Sequence, residues 1–433
     1  MSTEADANVP EVAAELVIKH KHPAARQFRL LRDALQSDKV RVGLLLGAGC
    51  PSGIYKEDGT KLNPPLIPDV ARLTASVRES LIQGDESKQE ADKLAAAWDL
   101  VSNACVQGGE DAPNIEHILS ELRTLRARRG TSNVDGLDKA KLKVLDERIC
   151  DLIVEAVGKR LPEHRCSYHR LASWVGGLER VAPVELFTPN YDLLLEEAFE
   201  LQRIPLFDGF VGSREPFFDL ASIEQDSIPR RWTRLWKLHG SINWELRENG
   251  SVFRAQGQAS PGKAMIYPSH LKYDQSRRMP YLAMIDRLRA FFRIGGHSQG
   301  FGPPVLVVSG YSFADDHLNE VLLDGLRGNP AAHCFVLAYP SLNDSSNVVK
   351  FASEQPNLTV LAYDGAVIGT RIGAYDLTSS SNTEPEPWLS KEDVPASDGV
   401  DAHEKITCSL GDFHYFGLFL ESLYGSREDD VNA

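Results

Sequence analysis

Paired cysteines are missing from this sequence. Cys50, Cys105, Cys150, Cys166, Cys334 and Cys408 stand alone, with no C-x-x-C and no spacing suited to a zinc knuckle. A zinc module is therefore not expected, and scattered thiols fit a reduced, cytoplasmic protein with mostly buried cysteines. Long hydrophobic runs are missing too. The longest are strand-length, so no membrane span is expected. Met1 to Val17 carries acids and no apolar run, so no signal peptide is expected there. Basic charge is in deficit, with 47 Lys and Arg against 61 Asp and Glu, a net charge of −14. Such a surface repels phosphate backbones and argues against general nucleic-acid binding. The densest basic group, Arg123, Arg126, Arg128 and Arg129, lies on a helix-like stretch and reads as a solvated helix face.

What is present is an ordinary globular composition, 42% hydrophobic and 25% charged over 433 residues. Residues 1–22 read as a flexible lead. Residues 23–35 carry apolar groups at helical spacing behind Pro23. The run Val40–Gly49, VRVGLLLGAG, reads as a strand buried on both faces that opens into a tight turn. Residues at about 70–170 are helical in pattern, with Asn114 placed to cap a helix and Glu116 in its first turn. Strand patterns return at Val184–Thr188, Arg234–Gly240, Ala264–Ser269, Pro304–Ser312, and from His333 and Leu358. Alternation of strands and helices predicts an α/β fold: a Rossmann-like parallel sheet flanked by helices, with a helical insertion. Residues 376–400 read as a polar loop. Residues 401–433 form an aromatic C-terminal segment with Phe413, Tyr415, Phe416 and Phe419, suited either to covering the core or to an interface.

Four segments fall at strand ends, where open α/β sheets hold ligands. Gly47-Ala48-Gly49-Cys50 supplies a turn by which backbone N–H groups approach a pyrophosphate, or a purely structural turn. Thr188-Pro189-Asn190-Tyr191-Asp192 places an amide and an acid at a strand–helix junction, either to cap the helix or to bind a ribose hydroxyl or a water. Leu238-His239-Gly240 puts an imidazole at a strand end, suited to general-base work if its pKa is near neutral, or to a structural role. Ser309-Gly310-Tyr311-Ser312-Phe313-Ala314-Asp315-Asp316 again permits close ligand approach, or lets Asp315 or Asp316 cap the next helix.

In this order, GAG, T-x-N-Y-D, L-H-G and G-Y-S-x-x-D resemble the prokaryotic sirtuin-like proteins of anti-phage defence, over about Val40 to Leu326. The resemblance implies a sirtuin-like Rossmann domain over about 23–375 and hydrolysis of NAD to nicotinamide and ADP-ribose. It implies defence by NAD depletion, with some members paired to a HerA-type hexameric ATPase. Asn190 and His239 match the residues required for cleavage. Gly47, Ala48, Gly49 and Cys50, with Thr188, Asp192, Ser309, Gly310 and Tyr311, match the NAD-binding positions. NAD is then the substrate, no metal is needed, and a homo-oligomer is expected. The sequence departs from deacylating sirtuins by lacking their Cys-rich zinc module. Their loop also continues directly into a G-I-P-D-F-R-like segment. Here Gly53-Ile54-Tyr55 leads into a polar stretch, and Ile67-Pro68-Asp69 follows only later. An NAD-dependent protein deacylase and a non-catalytic nucleotide sensor stay open as alternatives. The joint presence of Asn190 and His239 favours catalysis over sensing.

Overall fold

The computed structural model describes residues 20–83, 88–108, 112–128, 139–225, 227–247, 250–266, 280–293, 302–376, 388–394 and 403–423. The first half opens with β1 (His20–Pro23), α1 (Ala24–Gln36) and β2 (Arg41–Leu46). A helical layer follows: α2 (Val70–Gln83), α3 (Lys88–Gln107), α4 (Ile115–Arg128), α5 (Lys139–Val157) and α6 (Ser167–Gly176). Next come β3 (Glu185–Thr188), α7 (Leu194–Leu201), β4 (Leu206–Phe207), β5 (Phe210–Val211), β6 (Phe217–Phe218) and α8 (Leu220–Glu224). The chain continues through β7 (Thr233–Lys237), β8 (Gly240–Leu246), β9 (Val252–Arg254), β10 (Ala264–Ile266), α9 (Tyr281–Phe292) and β11 (Pro304–Ser309). It closes with α10 (Asp316–Gly328), β12 (His333–Leu337), α11 (Ser346–Glu354), β13 (Leu358–Leu361), β14 (Ala366–Ile368), β15 (Arg371–Asp376), β16 (Leu389–Val394), β17 (His403–Cys408) and α12 (Phe413–Ser422).

Among the described residues, ten strands form one sheet in the order β1-β15-β14-β13-β12-β11-β2-β3-β7-β4. Its pairs are parallel except at β13–β14 and β14–β15. The expected fold class, a largely parallel sheet wrapped by helices, is what the chain adopts. The central strands are apolar on both faces, and successive residues feed opposite cores. Val42, Leu44 and Leu46 of β2 join one core with helices α2–α7 and α12. Leu45 joins the other, with α9, α10 and α11. Gly43 interrupts the run for a packing reason: a Cβ there would lie 2.8 Å from the Phe291 ring. The smaller five-stranded sheet, β10-β8-β9-β6-β5, was not legible as a unit because its strands are only two to seven residues long.

Several sequence expectations need correction. His20–Pro23 is not part of a lead but an edge strand paired with β15; residues 1–19 lie outside the described residues. The polar stretch 376–400 contains β16, which pairs with β17, and Trp388 beside it is 1% exposed; residues 377–387 and 395–400 lie outside the described residues. Of the strand expected at 264–269, only Ala264–Ile266 is described. The basic cluster is not a solvated face at Arg123. That side chain is buried, with its Nη2 2.7 Å from Asp146 Oδ1. Arg126 joins the same carboxylate at 2.8 Å, and Arg129 lies outside the described residues. The six cysteines are all buried, and none forms a disulfide. No helix among the described residues is long and apolar enough to cross a membrane.

The C-terminal aromatics cover the core. Phe413, Phe416, Phe419 and Leu420 of α12 are each at most 2% exposed, and Trp388 meets Phe419 edge-on at 4.9 Å. The interface reading fails for these side chains because they already have intramolecular partners. Burying four such side chains is worth roughly 6–12 kcal/mol in total, comparable to the whole stability of a domain. Deletion from Leu410 onward is therefore expected to abolish the cooperative thermal transition seen by circular dichroism. A truncated chain that still melts cooperatively near the full-length temperature would refute this.

Candidate active site

The direction of chain travel reverses about β2. The chain builds β3 and β7 on one side of it, and β11, β12 and β13 on the other. Such a switch point leaves a crevice beyond the carboxyl ends of the strands. A cavity of about 550 Å³ lies there, lined among others by Ala48, Gly49, Asn190, Asp192, His239, Gly310, Tyr311 and Asp315. Glu116 of α4, the Lys61 and Ile67–Asp69 stretch, and Gly411–Phe413 before and at the start of α12 complete the wall. Gly47, Cys50, Thr188 and Ser309 stand behind this wall rather than on it.

The glycines are explained first by each other. Gly47 donates its N–H to the Ser309 carbonyl at 2.9 Å, and Gly49 to the Gly310 carbonyl at 2.8 Å. A Cβ on Gly47 would lie 2.4 Å from the Gly310 oxygen. Gly310 sits at φ +65°, where a Cβ would meet the Cys50 nitrogen at 2.5 Å. The two strand-end loops thus pack backbone on backbone, a contact only glycine permits. Cys50 faces inward, its thiol 3.3 Å from the Ser309 carbonyl, and burial pushes it well above the usual thiol range. It is a packing residue in this arrangement, not a reactive thiol.

Thr188 ties β3 to β2. Its hydroxyl donates to the Leu46 carbonyl at 2.7 Å and accepts from the Asn190 N–H at 3.1 Å. The Asn190 amide nitrogen donates to the Gly47 carbonyl at 3.1 Å, which fixes the side chain at the cavity wall. Asp192 is the member that meets the helix start: it precedes the cap position Leu193 and accepts from the Leu194 N–H at 3.1 Å. Burial raises its carboxyl above the usual range against the pull of Lys237. Lys237 is 1% exposed, donates to the Asp192 carbonyl and pairs with Glu196 at 3.2 Å. Tyr311 donates to Asn319 Oδ1 at 3.0 Å.

His239 lies between two carboxylates. Nε2 is 2.9 Å from Asp315 Oδ2, and Nδ1 is 3.6 Å from Glu116 Oε1. The Glu116 contact is longer than a hydrogen bond, and the two carboxylates flank the ring from opposite sides. Burial alone would lower the imidazole pKa; the Asp315 and Glu116 carboxylates outweigh it and push the value up to about 10. Burial works against the Glu116 carboxylate, and the His239 cation still holds it below its ordinary value. The two carboxylates thus favour the protonated ring, which runs against the expectation of a near-neutral general base. Asp315 also caps α10, accepting from the His317 and Leu318 N–H groups. Glu116 was visible only as a first-turn acid. Asn114 caps that turn, accepting from the Glu116 and His117 N–H groups at 2.9 and 3.1 Å.

The polar stretch after Gly53 forms a small turn in which Tyr55 pairs with Lys61. Lys61 reaches Asp412 at 2.7 Å, and Tyr55 stacks on His414 at 4.1 Å. This turn and the start of α12 therefore meet at the rim of the cavity. Among the described residues, no group of three or more His, Cys, Asp or Glu is placed to hold a metal ion.

Residues 184–360 match the family described as the SIR2-like domain. This SIR2-like region carries Asn190, His239, the 309–311 turn and Asp315; the Gly47 turn and Glu116 precede it. Among solved structures, the chain is similar to a Sir2 homologue in complex with NAD, at 14% identity and TM-score 0.35, over 76% of this chain and 90% of that one. It is similar to a structure described as the basis for the mechanism and regulation of Sir2 enzymes, at 12% identity and TM-score 0.31, over 72% and 84%. A third is a Sir2 homologue mutant bound to ADP-ribose, at 13% identity and TM-score 0.30, over 73% and 87%. No curated protein matches the chain.

Proposed function

We propose that the chain binds NAD in this cavity and hydrolyses its nicotinamide–ribose bond. The observation that carries the reading is the placement of Asn190 and His239 of the SIR2-like region on one cavity wall at the switch point. Nicotinamide in NAD is already a cationic leaving group, and its departure leaves an oxocarbenium-like sugar. Two carboxylates around one imidazolium give the Glu116–His239–Asp315 cluster a formal negative charge, which stabilises a developing cation. Asn190 orients a ribose hydroxyl or the attacking water. As the C–N bond breaks, nicotinamide leaves; a water oxygen bonds the anomeric carbon, and one proton is released. The flanking carboxylates favour the protonated ring, so a carboxylate of the cluster takes that proton.

Incubation of the purified protein with NAD, with products separated by chromatography, is expected to give equimolar nicotinamide and ADP-ribose, with and without EDTA. Intact NAD would overturn the reading. Deacylation of an added acyl-lysine peptide, with no hydrolysis in its absence, would replace it by the deacylase reading. Loss of activity in EDTA would overturn the metal-independent form. The same proposal extends to cytoplasmic NAD depletion in anti-phage defence by a homo-oligomer. An enzyme that destroys NAD needs restraint, and a HerA-type hexameric ATPase is the partner the resemblance supplies. Co-expression and light scattering test that extension.

A further inference from the structure

Of the helical-layer residues that line the cavity, Glu116 is the acid that lies beside His239. Glu116 stands in the first turn of α4, outside residues 184–360. Its Oε1 accepts from the Tyr191 hydroxyl at 3.2 Å and lies 3.6 Å from His239 Nδ1. The opposite ring nitrogen faces Asp315. Asn114 and Thr74 fix the turn: Asn114 Oδ1 accepts from two of its N–H groups, and the Ile115 N–H donates to the Thr74 hydroxyl at 2.9 Å. The carboxylate is thus aimed by its own helix start and by the T-x-N-Y-D segment together.

We infer that Glu116 is a positioning residue of the proposed hydrolase, which clamps the His239 ring against Asp315 and so brings the helical layer into the chemistry of the SIR2-like region. The inference rests on the NAD-hydrolysis reading for its reaction, but not for its electrostatics. A buried helix-start acid serving only its own helix would need neither the Tyr191 hydroxyl nor an imidazole neighbour. The titratable groups about the clamp are Tyr191 and Asp192 from the β3–α7 loop, Tyr281 of α9, Tyr311 and Asp315 before α10, and Lys237 on the strand that leads to His239. Lys237 is committed to Glu196 and the Asp192 carbonyl, which leaves the two carboxylates as the groups that set the charge on the ring.

The test uses the full chain and two variants, Glu116→Gln and Glu116→Asp. The His239 ring is followed by NMR of histidine-labelled protein between about pH 6 and 11, its signal assigned by its loss in His239→Gln. Removing one of two flanking carboxylates is expected to lower the His239 titration midpoint by about 1–3 units in Glu116→Gln. Glu116→Asp keeps the charge but shortens the reach, so its midpoint moves less. Alongside, kcat for NAD is expected to fall roughly tenfold to hundredfold in Glu116→Gln, and its pH profile to move with the ring. NAD affinity measured by calorimetry changes little. A folded Glu116→Gln protein with an unmoved His239 titration overturns the inference, and so does an unmoved kcat in an active enzyme. If Glu116→Gln fails to fold, Glu116→Asp decides: lost kcat at retained NAD affinity supports positioning, and wild-type kcat overturns it. A wild-type chain with no NAD turnover defeats the hydrolase reading alone, since the titration still decides whether Glu116 clamps the ring.

Discussion

Asn190→Ala and His239→Ala are each expected to reduce nicotinamide release by at least about a hundredfold, because groups that orient reactants or stabilise charge in a dry site contribute on that scale. The two losses have different physical causes. Asn190→Ala removes the amide that bridges the β3 end and the Gly47 carbonyl at 3.1 Å, so the cavity wall loses its one fixed amide on that strand end. His239→Ala removes the imidazole that lies between Glu116 and Asp315. Two buried carboxylates then face each other, and one of them takes up a proton to relieve the repulsion. For that reason His239→Gln belongs beside the alanine variant, since it fills the space without the charge. Circular dichroism and melting temperature must show both folded. A folded His239→Ala protein that consumes NAD at the wild-type rate would end the catalytic assignment.

Among the single substitutions, Asp146→Ala carries the largest expected cost in stability. Arg123 is buried on the inner side of α4; its Nε and Nη2 meet Asp146 at 2.7–3.2 Å, and its Nη1 donates to the Ile266 carbonyl at 2.6 Å. The same carboxylate accepts from Arg126. Truncating Asp146 leaves a guanidinium in the interior without its counter-ion, which costs about 3–5 kcal/mol. The exposed pair Arg78–Asp99, each side chain 55% exposed, is the control: Asp99→Ala should cost at most about 1 kcal/mol. Urea unfolding followed by fluorescence measures both. Equal, sub-kcal effects would show that the buried pair adds nothing. The stability change has a functional side, because Arg123 and Glu116 are seven residues apart and so share a face of α4. The ion pair anchors the helix that presents Glu116.

How much of this was readable in advance differs from element to element. VRVGLLL and PVLVVS declare themselves, since an unbroken apolar run of strand length with glycine behind it has few other uses. The T-x-N-Y-D and L-H-G segments could be placed at strand ends because their flanking strands could be. The meaning of single residues was less accessible. Glu116 is 123 positions before His239, and an acid in a first helical turn is ordinary enough to be read as a dipole partner. Arg123 looked like one of four surface arginines because its partner, Asp146, sits on another helix. The glycines at 47, 49 and 310 signalled close approach correctly, but pattern alone does not say whether a ligand or another loop approaches. The aromatic tail left two options open, and only three-dimensional neighbours such as Trp388 and Tyr168 decide between them.

The pairing of β1 with β15 has a consequence for how the protein is made. His20 aligns with Gly373 and Pro23 with Asp376, so the edge strand depends on a partner encoded about 350 codons later. At about 5–20 residues per second, β1 leaves the ribosome roughly 20–70 s before that partner exists. The strand is built for such a wait. Its sequence, HKHP, offers little apolar surface to a passing chain, and its proline lacks the N–H that a stray strand would need. The seam whose two strands are made furthest apart in time thus carries, on its early side, a strand that offers little to a wrong neighbour.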